Sequence, residues 1–277
     1  MRPADVARRG EAYLQRHGVA SARAEAEALM AHVLGIGRAQ VYARDEGLSS
    51  AEARSYGRAL CRRCTGTPLQ HVTGSVGFRR IVLEVRPGVF VPRPETEVTV
   101  DVALEAIAEV EHPRVVDVGT GSGAIALAIA HERPDATVWA TDRSAEAVAL
   151  ASDNAGRLGI RVTVAEGDLL DPVPPDERGR IDLVVSNPPY VPAARADRLP
   201  PEVRAEPALA LFGDVGTARR ILEAAAGVLR PNGAAVVEIE EGTATDVERA
   251  AREAGYVRTA VTRDLAGRDR VVSGRRP

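Results

Sequence analysis

From residue 114 onward, short apolar runs alternate with longer amphipathic stretches. Arg114–Val118, Arg161–Ala165 and Ile181–Ser186 are rich in Val, and Ala136–Thr141 is built around Val138 and Trp139. Apolar runs of that length predict strands of a parallel sheet, buried on both faces. Helical segments separate them, the first over Ala124–Glu132. Val215–Leu229 and Ala244–Ala254 read as helices around a strand at 234–239, with Arg230-Pro231-Asn232-Gly233 as the turn before it. Two strands near 256–262 and 270–274 complete the pattern as an antiparallel pair. The sum is seven strands in an α/β, Rossmann-like sheet.

The first 70 residues follow a helical period instead. Ala26, Leu29, Met30 and Val33 share one face, with Ser21 as the expected N-cap and Gly35 at the end. Ser49 and Glu52 have the spacing of a capping box before the next helix. Residues 75–92 alternate around Ile81-Val82-Leu83-Glu84-Val85 and predict a β-hairpin, and Arg93–Val110 predicts a helix. The expected organisation is a helical domain at 1–73, a hairpin linker at 74–92 and a catalytic domain at 93–277. A length of 277 residues fits one large domain plus one small one.

Candidate chemistry lies where the predicted strands end. The first strand runs into Gly119-Thr120-Gly121-Ser122-Gly123 and then a helix, the opening of a nucleotide-binding βαβ unit. The glycines allow a tight turn and close ligand approach, and the helix start offers free N–H groups. The spacing is neither the G-x-G-x-x-G dinucleotide fingerprint nor a P-loop. Asp117 before the turn repels pyrophosphate and attracts an ammonium, which favours S-adenosylmethionine over NAD. Asp142, about 20 residues past the loop, is placed to accept from both ribose hydroxyls; a helix cap would also explain it, though Ser144 would serve that purpose equally well. Asp168 is a candidate acceptor for the adenine amine and Leu169 a candidate packing partner for its ring, unless the pair simply forms a surface turn.

Ile181–Ser186 ends in Asn187-Pro188-Pro189-Tyr190. The Asn187 side-chain carbonyl and the Pro188 backbone carbonyl can each accept a hydrogen bond from one flat –NH2 group. Tyr190 offers an aromatic face, and Pro188 and Pro189 stiffen the loop. This suits holding a flat –NH2 group still. Asn187, Pro188 and Tyr190 are the expected catalytic residues, and Asn187 borders the cofactor as well.

Together these residues resemble the class I S-adenosylmethionine-dependent methyltransferases. Thr67-Pro68-Leu69-Gln70-His71-Val72-Thr73-Gly74 and Gly88-Val89-Phe90-Val91-Pro92-Arg93-Pro94-Glu95-Thr96-Glu97 narrow the resemblance to the protein-glutamine methyltransferases of the PrmC/HemK family. Glu206–Leu211 and Asp264–Val272 resemble its later segments. The resemblance implies transfer of a methyl group to the glutamine of the Gly-Gly-Gln motif in class I peptide-chain release factors, with S-adenosylhomocysteine as the other product and no metal. It implies a helical N-terminal domain that helps hold the protein substrate. His71 stands where the family often has Tyr, and Glu240-Glu241 where it runs into Gly and Gln. Those departures leave open a paralogue acting on a ribosomal protein or a small amide. An adenine or cytosine methyltransferase acting on nucleic acid would share the Asn-Pro-Pro-Tyr motif, and a non-catalytic binding module would share the glycine loop.

Bulk properties narrow these further. The formal net charge is −3, and all 36 basic residues are Arg. That balance argues against a nucleic-acid partner recognised through overall charge. Cys61 and Cys64 form one C-x-x-C, and His71 would add only a third ligand, so the expectation is reduced thiols on a helix. No apolar run is long enough to span a membrane, and a cytoplasmic protein is expected.

Overall fold

The computed structural model describes every residue except Ala205. The chain forms two compact units, one built on Met1–Ser75 with residues 200–205 and one on Val76–Leu199 with Glu206–Pro277.

The first unit is helical: α1 (Pro3–Arg16), α2 (Ala22–Leu34), α3 (Arg38–Ala43), α4 (Ser50–Cys64) and α5 (Leu69–Thr73). Leu14, Leu29, Met30, Val41 and Tyr56 fill its core. Gly35 ends α2 in the left-handed conformation expected of it, whereas the Ser21 side chain makes no cap bond. The Ser49–Glu52 capping box forms: Glu52 Oε2 accepts from the Ser49 N–H and Ser49 Oγ from the Glu52 N–H. Cys61 and Cys64 occupy successive turns of α4 as free thiols.

The second unit begins with a hairpin, β1 (Ser75–Phe78) and β2 (Ile81–Glu84), and continues through α6 (Thr96–Ala106), β3 (Arg114–Val118), α7 (Ala124–Glu132), β4 (Thr137–Asp142), α8 (Ala145–Leu158), β5 (Thr163–Glu166) and β6 (Ile181–Ser186). The short helix α9 (Pro201–Arg204) groups with the first unit; the second continues with α10 (Ala208–Leu211), α11 (Val215–Ala226), β7 (Leu229–Glu238), α12 (Ala244–Glu253), β8 (Val257–Arg263) and β9 (Asp269–Arg275). The sheet order is β5-β4-β3-β6-β7-β9-β8, parallel through β7 and antiparallel at β9 and β8. This is the seven-stranded α/β sheet that the apolar runs predict. Every residue of β6 is buried, as a strand with helices on both faces requires.

Four local expectations change. The helix expected from Arg93 starts only at Thr96, because a residue before proline avoids the helical region and Arg93 precedes Pro94. Residues 230–233 are a break inside β7 rather than a turn before it: pairing to β6 lapses between Leu229 and Ala234, and Asn232 takes a positive φ of 62°. The Pro192–Pro207 stretch is not plain loop: a 3-10 helix spans Ala193–Arg198 ahead of α9. The hairpin does not stand apart as a linker, since Phe78, Ile81 and Leu83 join the core beneath α6 and α7.

Candidate active site

Five parallel strands, β5, β4, β3, β6 and β7, end on one side of the sheet, and the candidate residues follow those ends. Val118 of β3 lies opposite Ser186 of β6, so the glycine loop and the Asn187 tetrapeptide leave the sheet as neighbours. Ser186 Oγ donates to the Val118 carbonyl at 2.7 Å and ties the two exits together.

In the glycine loop, Gly119, Gly121 and Gly123 have φ of 72°, 57° and 87°. Space around Gly119 and Gly121 is open; a Cβ on Gly123 would lie 2.9 Å from Leu127 Cδ1 and 3.3 Å from Ala151 Cβ. The first two glycines are thus required by conformation, and the third also by packing of α7 against α8. The Gly119 and Thr120 N–H groups donate to the Thr141 carbonyl at 2.8 and 3.0 Å. The Gly121 N–H donates to Asp142 Oδ2 at 2.9 Å, and the Ser144 N–H to Asp142 Oδ1 at 3.0 Å. Ser144 caps α8 through its own hydroxyl, so Asp142 is not needed for that task. Both Asp142 oxygens keep further lone pairs.

Asp117 lies under the loop, 1% exposed. Its Oδ2 accepts from Thr120 Oγ1 at 2.6 Å and from the Ala126 N–H at 3.1 Å. Its Oδ1 is buried with no partner among the described residues. Burial pushes the carboxyl up to about 7, against the pull of the Thr120 and Ala126 bonds. The Thr120 hydroxyl therefore shapes the loop from within. So does Ser122, whose carbonyl accepts from Asn154 Nδ2 at 3.0 Å. Asn154 also brackets the backbone of Glu84 and so fastens the hairpin to the glycine loop. Nothing in the sequence pattern marked it.

Asp168 and Leu169 follow β5, where the Gly167 N–H donates to the Asp142 carbonyl at 2.9 Å. Asp168 is exposed and accepts from Arg220 Nη2 at 3.0 Å. Leu169 adopts a positive φ, packs partly into the core, and its carbonyl accepts from Thr141 Oγ1 at 2.7 Å.

Asn187 Nδ2 donates to Thr96 Oγ1 at 3.0 Å. No described residue donates to Asn187 Oδ1 or to the Pro188 carbonyl. Two acceptors on adjacent residues are therefore without a donor among the described residues. Gly213 seats this loop, since a Cβ there would lie 1.9 Å from the Pro189 carbonyl oxygen. The Tyr190 hydroxyl donates to Glu238 Oε1 at 3.4 Å. Burial, reinforced by the Glu238 charge, holds the phenol well above its ordinary value, so it remains protonated and is no base. Glu238 Oε2 accepts from Thr99 Oγ1 at 2.9 Å. Arg93 lies 5.0 Å over the Phe90 ring and donates to Glu206 Oε1 at 2.5 Å. Burial pushes the Glu206 carboxyl up to about 7 while Arg93 opposes it. Thr99 and Glu238 escaped sequence reasoning because each is ordinary in its own segment, and Thr96 and Glu206 entered it only within segments that carry the resemblance, with no role assigned.

Residues 5–74 match the family model described as the PrmC N-terminal domain, and residues 80–199 the methyltransferase small domain. The release factor glutamine methyltransferase of Moorella thermoacetica is 42% identical over 261 residues, covering 91% of each chain. That of Deinococcus radiodurans is 42% identical over 277 residues, covering 98% of each. The chain belongs to the release factor glutamine methyltransferase family. The family's fold recurs in more distant solved structures. The hMettl16 catalytic domain superposes with a TM-score of 0.57 at 13% identity, over 80% of this chain and 81% of that one. The T. thermophilus 16S rRNA N2 G1207 methyltransferase gives 0.56 at 19% identity, over 73% and 50%. Against this family background, Glu240, one of the departures, pairs with Arg195 of the segment after the tetrapeptide.

Proposed function

We propose that the chain methylates the side-chain amide nitrogen of the glutamine in the Gly-Gly-Gln motif of class I peptide-chain release factors, using S-adenosylmethionine and leaving S-adenosylhomocysteine. The observation that carries this reading is the pair of open acceptors, Asn187 Oδ1 and the Pro188 carbonyl, beside the glycine loop. The names borne by the relatives supply the substrate. No described helix is long and apolar enough to cross a membrane; a release factor substrate supports a reaction in the cytoplasm.

The residues present fit the methyl donor. The open space at Gly119 and Gly121 admits close approach of a ligand to the backbone, and the unpartnered Asp117 Oδ1 suits the pull of an amino-acid ammonium. On this reading Asp142 would accept from the ribose diol, and Asp168 and Leu169 would meet the adenine. The bound donor supplies an electrophilic methyl carbon on a sulfonium.

An amide nitrogen is a weak nucleophile because its lone pair is delocalised into the carbonyl. Asn187 Oδ1 and the Pro188 carbonyl each accept one amide hydrogen, which aims the nitrogen and stabilises the positive charge that develops on its N–H bonds. The N–C bond forms as the C–S bond breaks, and the nitrogen then loses a proton to solvent. Tyr190 packs on the amide plane. The rigid, half-buried loop keeps both acceptors in place without reorganisation.

The test is transfer of label from S-adenosylmethionine to purified release factor, beside a Gln→Ala version of its Gly-Gly-Gln motif. Label on the first alone is expected. Label on both, or on neither with the donor bound, overturns the substrate assignment.

A further inference from the structure

The turn between β8 and β9 lies on the same edge of the sheet as the tetrapeptide. Val237 of β7 faces Ser186 at the end of β6, and Glu238 faces Val271 near the start of β9. Residues 264–268 therefore emerge on that edge, two strands from β6. The turn is firmly built. Asp264 is buried, and its oxygens accept from the Ala266 and Arg268 N–H groups at 2.9 and 3.0 Å, from Arg268 Nε at 2.9 Å and from Arg270 Nη2 at 3.2 Å. The Gly267 N–H donates to the Asp264 carbonyl, and the Asp264 N–H to the Arg268 carbonyl, both at 2.9 Å. One buried carboxylate thus fixes the whole turn. What the turn presents is Leu265, which is 104% exposed.

A single exposed leucine is ordinary. The place of this one is not. Arg268 Nη2 donates to Glu95 Oε1 at 3.3 Å, so the turn is fastened to the residue before Thr96, which holds Asn187. From the same short stretch Arg93 reaches Glu206, and Glu206 leads into α10, where Leu209 is 54% exposed. The Leu211 carbonyl of α10 accepts from the N–H of Val191, the residue after Tyr190, at 3.1 Å. Leu209 and Leu265 are the exposed leucines among the described residues, and both stand on segments tied to the surroundings of Asn187.

We propose that Leu265 and Leu209 form an apolar rim that docks the release factor around its Gly-Gly-Gln loop. The proposal rests on the substrate reading above. The two acceptors at Asn187 and Pro188 take only one side chain of a whole protein, and the two glycines before it have no side chains to grip. Holding the protein therefore falls to surface farther from the reacting nitrogen, and the rim is the apolar surface continuous with the site. Apolar contacts at the centre of a protein–protein interface carry most of its energy. A turn fixed before the partner arrives loses little conformational freedom on binding.

The test measures methyl transfer with release factor and S-adenosylmethionine varied in turn, for the wild type, Leu265→Asp, Leu209→Asp and Val257→Asp. Val257 is the control: it is 45% exposed on β8, but it pairs with Arg275, which faces Ala234 toward the opposite end of the sheet. Leu265→Asp is expected to raise the KM for release factor about ten- to thirtyfold, and Leu209→Asp about three- to tenfold. In both, kcat at saturating release factor and the KM for S-adenosylmethionine should stay within about twofold. Val257→Asp should match the wild type in all three. A wild-type KM for release factor in either leucine variant overturns the rim. So does an equal rise in Val257→Asp, or a parallel rise in the KM for S-adenosylmethionine. A dimer of the free enzyme in sedimentation that Leu265→Asp dissolves would assign the rim to a second copy of the chain instead. If the wild type binds the donor and places no label on release factor, the substrate reading falls and the rim with it; if the wild type labels release factor and the leucine variants match it, only the rim falls.

Discussion

The glycine loop and the Asn187 loop leave adjacent strands and are joined at their roots by the Ser186–Val118 bond, yet they are built in opposite ways. The glycine loop is a backbone device. Its shape comes from three positive φ values, and its N–H groups are tied down by the Thr141 carbonyl and Asp142. The Asn187 loop is a side-chain device. Its open carbonyl is aimed by Thr96, which belongs to a helix 91 residues away in sequence. Under the proposed function, one region binds through what the chain cannot avoid being and the other acts through a direction its surroundings impose. Damage to the first should appear in cofactor affinity and stability, and damage to the second in rate.

The largest effect after removal of Asn187 itself is expected at Gly213. A methyl group there collides with the Pro189 carbonyl, so Gly213→Ala should displace the tetrapeptide and lower kcat about a hundredfold. Cofactor affinity measured by calorimetry should change little; equal losses in both would erase the division between the loops. Next comes Asp142→Ala, which removes the partner of the Gly121 N–H. The KM for S-adenosylmethionine should rise about ten- to hundredfold, with kcat within a few-fold. Gly123→Ala, forced against Leu127 and Ala151 at φ 87°, should cost about 1–3 kcal/mol in a denaturant titration, and cofactor affinity should fall with it.

A smaller effect concerns pH. The Asp117 carboxyl rises from 3.8 to about 7 on folding, so the folded chain holds more protons than the unfolded one between those values. Stability from this group is full below about pH 4 and is lost as pH rises to about 7. Asp117→Asn should remove that slope from the melting temperature measured across pH 4 to 7. The smallest effect is expected at Asp168→Ala, a rise of about two- to fivefold in the KM for S-adenosylmethionine, because Asp168 is exposed and already shared with Arg220.

The same contrast decides what could be read from sequence. Gly119, Gly121 and Gly123 are legible because a backbone demand leaves a residue type behind, and the parallel strands, though not their order, are legible from apolar runs that only a covered sheet accommodates. Asn187–Tyr190 is legible because acceptor, proline and ring stand together. Its support is not. Thr99 and Glu238 stand 139 residues apart in sequence, Thr96 lies on the same helix as Thr99, and a threonine in a helix or a glutamate ending a strand has many uses. Gly213 looks like any loop glycine until the Pro189 carbonyl is seen against it. Element ends failed for local reasons: the proline at 94 delayed α6, and the Ser21 hydroxyl makes no cap bond.

The most direct measurement is methyl transfer by Asn187→Ala to release factor, taken together with its affinity for S-adenosylmethionine. An acceptor made for the transferring amide predicts that kcat falls by about two to three orders of magnitude while affinity stays within a few-fold. A variant that methylates at close to the wild-type rate would contradict it.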